Sequence, residues 1–147
     1  MPDIDLSTIS FFSGFDQAAL DKIAAVGEPV EVERGAVIME QGEVGREAFL
    51  VVDGEVQIKV NGHVVGTAGR GSVLGEMALL DLRPRSATLI ALTDCELISY
   101  ASKQFRSILD EMPADARAGL EQRDERFRAE NLEVSYDDDD RPRPSGR

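Results

Sequence analysis

The chain has 147 residues, the length of one ordinary domain, and its 42% hydrophobic and 30% charged residues are typical of a soluble globular protein. Its 28 acidic and 16 basic side chains give a formal net charge of −12. A surface this acidic repels the phosphate backbone of nucleic acids, so we expect no direct DNA binding. One histidine, His63, and one cysteine, Cys95, are too few for the usual zinc sites, so we expect no metal centre.

The sequence carries no recognisable targeting or membrane segment. Residues 1–5 contain acidic side chains where a secretory segment would contain basic ones. An apolar run such as Ala48–Val52 is far shorter than a membrane span requires. A single thiol fits a reducing compartment. These features predict a cytoplasmic protein without membrane contact.

The first element in chain order is a helix over residues 16–26, with Asp16 as its N-cap and Gly27 after its end. The apolar period then changes from 3.6 to two, which predicts strands. The pairs Asp53-Gly54 and Asn61-Gly62 suit the tight turns of antiparallel hairpins. The predicted strands are 30–33, 36–40, 48–52, 55–60, 63–67, 87–92 and 95–100. Many short strands at even spacing favour a β-roll or small barrel.

Helical patterns return outside the strands. Residues 75–82 are typical of a short helical turn between two strands, and residues 102–112 and 113–132 restore the 3.6 period. Pro113 separates the last two helices. Beyond Ser135 the chain has almost no apolar side chain, and we predict a domain over residues 1–132 followed by a disordered acidic and Pro/Arg-containing tail over 133–147.

One window carries residues suited to an anionic ligand. Residues 57–109 contain 6 basic and 4 acidic side chains, whereas both flanking segments are net acidic. Gly75 allows a ligand to approach the backbone, and the helix that it opens has N–H groups without internal partners. Arg85 supplies a fork of donors for a phosphate, and Ser86 adds a hydroxyl. The Glu76 carboxylate suits a ribose hydroxyl. Together these groups point to a sugar phosphate.

This window resembles the phosphate-binding cassette of the cyclic nucleotide-binding domain family, which occurs in cAMP-dependent kinase regulatory subunits and Crp-type regulators. The family pattern F-G-E-[aliphatic]-A-L, a spacer, then Arg-[Ala/Ser/Thr]-Ala is matched by residues 74–79 and 85–87, with Leu74 in place of the aromatic residue. The resemblance spans residues 9–132. It implies a mainly β fold, a β-roll or jelly roll of about eight strands with an N-terminal helix, a short phosphate-binding helix and C-terminal helices.

The resemblance also implies a role for each cassette residue. Arg85 would bind the phosphate oxygens, assisted by Ser86 and the backbone of Ala78 and Ala87. Glu76 would accept a hydrogen bond from the ribose 2′-hydroxyl. Gly75 and Met77 would line the pocket through their backbone.

In this family the last helix often covers the base. By spacing from Arg85, the positions that would contact the base or close the site are Glu130 and Asn131, with Arg126 one turn earlier and able to reach Glu76. Ser86 favours cAMP, with cGMP as the other candidate ligand. No other cofactor and no metal is expected.

The resemblance implies a sensor and not an enzyme. Nucleotide binding would move the C-terminal helices, and with no helix-turn-helix after residue 132 we expect the regulated partner to be another protein, or a second copy bound through the C-terminal helix. Two alternatives stay open. Arg85 could form a surface ion pair with Asp81, and the β-roll could be a protein-interaction domain that no longer binds nucleotide.

Overall fold

The computed structural model of the chain describes residues 4–76 and 84–128, apart from the side chains at positions 116, 120, 124, 127 and 128. Two short 3-10 turns precede a set of three α-helices and eight strands within this part of the chain. The turns are Leu6–Thr8 and Ser10–Phe12, and the helices are α1 (Gln17–Val26), α2 (Ser102–Asp110) and α3 (Ala114–Arg128). The strands are β1 (Glu28–Val32), β2 (Val37–Met39), β3 (Glu47–Asp53), β4 (Val56–Val60), β5 (His63–Ala68), β6 (Val73–Leu74), β7 (Thr88–Ala91) and β8 (Cys95–Ala101).

The strands form two antiparallel four-stranded sheets. One sheet has the order β1-β8-β3-β6 and the other the order β2-β7-β4-β5. The predicted mainly β fold of about eight strands is therefore confirmed. The predicted N-cap is confirmed as well, because the Asp16 carboxylate accepts a hydrogen bond from the Ala19 amide at 2.9 Å.

Strand β3 explains why the chain contains a continuous apolar run. Phe49 and Val51 pack into the core between the two sheets, whereas Ala48, Leu50 and Val52 pack into a second core under the helices. Since both faces of the strand are covered, alternation with polar residues is lost. Among residues 4–76 and 84–128, no helix combines the length and apolar character that a membrane span requires.

The two predicted hairpin turns have different outcomes. Asn61-Gly62 joins the paired strands β4 and β5, and both residues have positive φ, at 54° and 83°, so this hairpin is confirmed. The prediction for Asp53-Gly54 is wrong, because β3 and β4 belong to different sheets. Gly54 has a φ of 99° and lies against the backbone of Asp94, so its turn carries the chain from one sheet to the other.

The C-terminal region shows the predicted pair of helices. Helix α2 ends before Glu111, and α3 begins directly after Pro113. The Lys22 ammonium lies 3.7 Å from the Glu111 carboxylate and connects α1 to this break. The predicted short helix lies outside the described residues over 77–82, as do the end of the last helix over 129–132 and the tail over 133–147.

Candidate functional site

The site starts at Gly75, directly after β6. Leu74 pairs with Phe49 of β3, which fixes the last residue of β6 against the sheet. Gly75 then adopts a φ of 80°, a region that side chains other than glycine rarely occupy. A Cβ at this position would lie 2.6 Å from Nη1 of Arg85. The glycine is therefore required both by its backbone conformation and by the close approach of the arginine.

Arg85 is buried in spite of its charge, with 6% of its surface exposed. Its Nη1 donates to the carbonyl oxygen of Gly75 at 3.1 Å. Its backbone N–H donates to the Glu43 carbonyl at 2.8 Å, and its own carbonyl accepts from the Gly42 amide at 2.9 Å. These contacts fix both the backbone and the guanidinium of a residue that lies outside any strand or helix. Its burial is unlike that of a surface ion pair.

The electrostatics at Arg85 combine burial with nearby negative charge. Burial lowers the pKa of the Arg85 guanidinium from its ordinary value, because desolvation disfavours the charged form. The carboxylates of Glu47, Glu43 and Glu76 oppose this shift and favour the charged form. The Glu47 carboxylate is itself oriented by the Ser99 hydroxyl, which donates to it at 3.1 Å. The site therefore holds a desolvated cation suited to an anion that can bind it directly.

A cleft opens beside Arg85. Its cavity volume over the described residues is about 80 Å³, and it is partly open to solvent. Its described lining is mostly apolar, with a few polar groups at one end, which is the usual composition of a ligand site. The described lining residues are Met39, Ile58, Val73, Leu74, Gly75, Glu76, Arg85, Ser86, Ala87 and Leu89.

The structure brings five of the predicted site residues to this cleft. They are Gly75, Glu76, Arg85, Ser86 and Ala87. Met77 and Ala78 lie outside the described residues, and so do Glu130 and Asn131.

The predicted base contact at Arg126 is not among the residues that line the described cleft. Its side chain is exposed on α3. Arg123, three residues earlier on the same helix, lines a neighbouring polar groove together with Glu76. The role of Arg126 at the base stays a prediction.

The apolar wall of the cleft was not predicted from the sequence. Met39, Ile58 and Leu89 come from β2, β4 and β7, and all three lie on the inner face of one sheet. Each belongs to a predicted strand, so the alternation of inward and outward positions is the signal that could have identified them.

The fold and the cleft together define a β-roll with a cleft beside a buried arginine. A family model described as the cyclic nucleotide-binding domain matches residues 29–112, more than half of the chain. The chain therefore belongs to the cyclic nucleotide-binding domain family. Members of this family act as regulatory domains that bind cyclic nucleotides, so the resemblance described from the sequence is confirmed.

Curated relatives share this region with the chain. It is 36% identical over 108 residues to a cyclic nucleotide-gated potassium channel of Rhizobium etli, covering 74% of this chain and 30% of the channel. It is 31% identical over 105 residues to the cAMP-dependent protein kinase regulatory subunit of Schizosaccharomyces pombe, covering 71% and 26%. A Pycsar effector protein of Xanthomonas perforans is 33% identical over 98 residues, covering 66% and 32%. The chain thus spans about a third or less of these relatives.

Solved structures share the fold. A cAMP-bound PfPKA-R (141-441) superposes with a TM-score of 0.79 and 25% identity, covering 88% of this chain and 45% of that one. PKAR CBD2 bound to Sp-2Cl-cAMPS gives a TM-score of 0.76 and 25% identity, covering 86% of this chain and 87% of that one. The Thermus thermophilus catabolite activator protein gives 0.69 and 28%, covering 85% and 61%. These likenesses confirm the β-roll architecture.

Proposed function

We propose that this protein is a cyclic nucleotide sensor whose ligand is cAMP and whose binding state regulates another protein. The observation that carries the proposal is the burial of Arg85 beside Gly75 at the polar end of an apolar cleft. A desolvated guanidinium is costly unless an anion binds it, and a phosphate offers two oxygens to its planar fork of donors. The apolar walls then suit a nucleobase.

Each part of a cyclic nucleotide would contact a different group of residues in the cleft. Arg85 and Ser86 line the cleft and would bind the cyclic phosphate, and Glu76, which lines the same cleft, would accept a hydrogen bond from a ribose hydroxyl. Met39, Ile58 and Leu89 would contact the sugar and the base through their apolar side chains. Met77 and Ala78 would contribute backbone groups, and Arg126, Glu130 and Asn131 would reach the base from the C-terminal helix.

The choice of cAMP rests on relatives of the same architecture. Two of the superposed structures are bound to cAMP or a cAMP analogue at 25% identity. Ser86 follows the arginine at the position where the resemblance separates cAMP from cGMP. We therefore propose cAMP as the ligand and treat cGMP as the competing outcome. We also propose that the chain acts without catalysis of its own, in the cytoplasm.

The output would be movement of α3. Among the described residues, its start contacts the rest of the domain through Arg117, whose guanidinium donates to the Leu109 carbonyl at 3.3 Å and lies 3.7 Å from the Asp110 carboxylate. Gly14 lies against the ring of Pro113, directly before the helix. A helix can shift between two positions when a ligand favours one of them. The same helix would carry a self-association surface if the sensor is a homodimer.

Calorimetric titration of the purified protein with cAMP and with cGMP tests the proposal. We expect saturable binding with a preference for cAMP. Arg85→Ala should weaken binding at least about 100-fold, because it removes a charge-assisted contact to the phosphate. Arg34→Ala is the matched control, since Arg34 is exposed and does not line the cleft.

Three outcomes would contradict the proposal in different ways. Absence of binding to either nucleotide by folded wild-type protein would favour the interaction-domain alternative. Unchanged affinity of Arg85→Ala would remove the assigned phosphate contact. Hydrogen exchange in residues 114–128 that is unaffected by saturating cAMP would remove the helix movement from the proposal, because a shifted helix changes the protection of its amides.

A further inference from the structure

The loop over residues 41–43 holds the backbone of Arg85. The Glu43 carbonyl accepts from the Arg85 N–H at 2.8 Å, and the Gly42 N–H donates to the Arg85 carbonyl at 2.9 Å. At the start of the loop, the Gln41 N–H donates to the Thr88 hydroxyl at 3.0 Å. Three successive residues of the 41–43 loop thus contact the segment that connects Arg85 to β7.

The 41–43 loop is in turn fixed by the side chain of Gln41. Its Nε2 donates to Oδ1 of Asn61 at 3.0 Å, and its Oε1 accepts from the Asn61 backbone N–H at 2.8 Å. Asn61 has a φ of 54° in the tight turn between β4 and β5. The Gln41 side chain therefore joins the loop to the hairpin by two hydrogen bonds, one that it donates to Asn61 and one that it accepts from Asn61.

We infer that Gln41 is a positioning residue for the phosphate-binding arginine, which it serves through the 41–43 loop without touching the ligand. The inference rests on the proposed function. Neither the loop nor Arg85 lies in a strand or helix, so regular backbone pairing does not fix either of them. Gln41 is not among the described residues that line the cleft. Its effect on affinity must therefore pass through the backbone of Arg85.

By fixing Arg85 in advance, Gln41 would lower the entropic cost of ordering that residue when the ligand binds. A binding residue that is already fixed loses little conformational freedom when the ligand arrives, whereas a mobile one must be ordered at the expense of affinity. Without the Gln41–Asn61 pair, the loop loses its connection to the hairpin but keeps its contacts to Arg85 and Thr88. The two segments could then move together. We expect faster dissociation of cAMP and a smaller change in its association rate.

The experiment compares cAMP binding by the wild type and by Gln41→Ala, Asn61→Gly and Asn61→Asp. Gln41→Ala removes both hydrogen bonds, and we expect affinity to fall about tenfold. Asn61→Gly keeps the positive φ and the backbone donor but loses the acceptor, so the loss should be smaller, about threefold. Asn61→Asp keeps both groups of the pair and should bind within about twofold of wild type.

A double-mutant cycle with Arg85→Lys separates positioning from general stability. If Gln41 acts through Arg85, Gln41→Ala should weaken binding less in the Arg85→Lys background than in wild type, because the bidentate contact it positions is already lost. Equal losses in both backgrounds would overturn the inference. So would wild-type affinity of Gln41→Ala. If Gln41→Ala does not fold, the Asn61→Gly cycle with Arg85→Lys gives the same test.

The wild-type titration separates the two proposals. If wild-type protein binds neither cAMP nor cGMP, the proposed function fails, and this inference fails with it. If wild-type protein binds and the Gln41 and Asn61 variants bind equally well, only the positioning role is overturned.

Discussion

Nη1 of Arg85 lies 2.6 Å from the point that a Cβ on Gly75 would occupy. The two residues are ten positions apart, and the guanidinium donates to the glycine's own carbonyl oxygen at 3.1 Å. The absence of a side chain at Gly75 therefore leaves the space that the Arg85 guanidinium occupies. A ligand that binds Arg85 necessarily approaches this backbone as well.

We predict that Gly75→Ala weakens cAMP binding at least about 30-fold. The added methyl group must displace the guanidinium, and alanine at a φ of 80° costs on the order of 1–2 kcal/mol of backbone strain. Calorimetric titration and thermal unfolding of the same sample measure both effects. Gly35→Ala is the control, because Gly35 has a φ of 90° with nothing within 4 Å of its added Cβ. Equal loss of cAMP affinity in both variants would show that strain alone, and not contact with Arg85, is responsible.

We predict that Arg85→Met raises the stability of the nucleotide-free protein by about 1 kcal/mol. Burial lowers the pKa of this guanidinium, because desolvation disfavours its charged form. Methionine fills a similar length without that cost, while Glu43 and Glu47 are exposed and can be solvated. Urea unfolding without nucleotide measures the change.

Two further measurements complete the test of Arg85→Met. Addition of cAMP should raise the unfolding midpoint of wild type and leave that of the variant unchanged, because only a ligand that binds the native state stabilises it. Arg85→Lys keeps the buried charge and should show no gain in stability. A loss of stability in Arg85→Met would mean that the arginine supports the fold.

The polar residues of the cleft are predicted from the sequence, whereas the residues of its apolar wall are not. Gly75, Glu76 and Arg85 lie within one short segment, so their chemistry can be interpreted together before the fold is known. Met39, Ile58 and Leu89 meet only after two sheets have formed. The contacts of Gly42 and Glu43 with Arg85 likewise form only when two loops pack against each other. A local sequence pattern does not predict such packing.

The strands and turns could likewise be predicted only in part. Seven predicted strands agree with the structure to within two residues at each end, because short β-rich runs separated by turn residues mark where they begin and end. Strand β6, at Val73–Leu74, was missed because two residues are too short to show a period. Asp53-Gly54 was assigned to a hairpin because a turn pair indicates a tight turn but does not indicate which sheet follows it.

We predict that Gly54→Ala destabilises the protein by more than about 2 kcal/mol. At a φ of 99°, an added Cβ would lie 2.6 Å from the Asp94 carbonyl oxygen and 2.7 Å from Sγ of Cys95. Cys95 is buried and begins β8, and Asp94 directly precedes it, so neither atom can move away easily. Gly35→Ala is again the control, and it should cost only the strain of a left-handed alanine, about 1–2 kcal/mol. Urea unfolding of the two variants gives the difference, and equal losses would contradict the steric argument.

We predict that Tyr100 makes the fold sensitive to alkaline pH. Its side chain is 1% exposed, and its hydroxyl has no hydrogen-bond partner among the described residues. Burial raises the pKa of Tyr100 to about 12, from 10.0 in the ordinary phenol. Between these values the unfolded chain releases the proton and the native protein retains it. The free energy of unfolding therefore falls as pH rises from 10 to 12, by roughly 2–3 kcal/mol.

Tyr100→Phe removes this titration and leaves the packing of the ring unchanged. The variant should be at least as stable as wild type at pH 7, because no buried hydroxyl loses a partner within the described part of the chain. Above pH 10 it should lose less stability than wild type, and urea unfolding at half-unit steps from pH 9 to 12 measures the difference. Tyr136→Phe is the matched control, as it removes the other tyrosine of the chain. If both variants follow the wild-type curve, Tyr100 does not cause the loss of stability at alkaline pH. If only Tyr136→Phe departs from the wild-type curve, Tyr136 and not Tyr100 is the tyrosine that causes it, and the prediction is wrong.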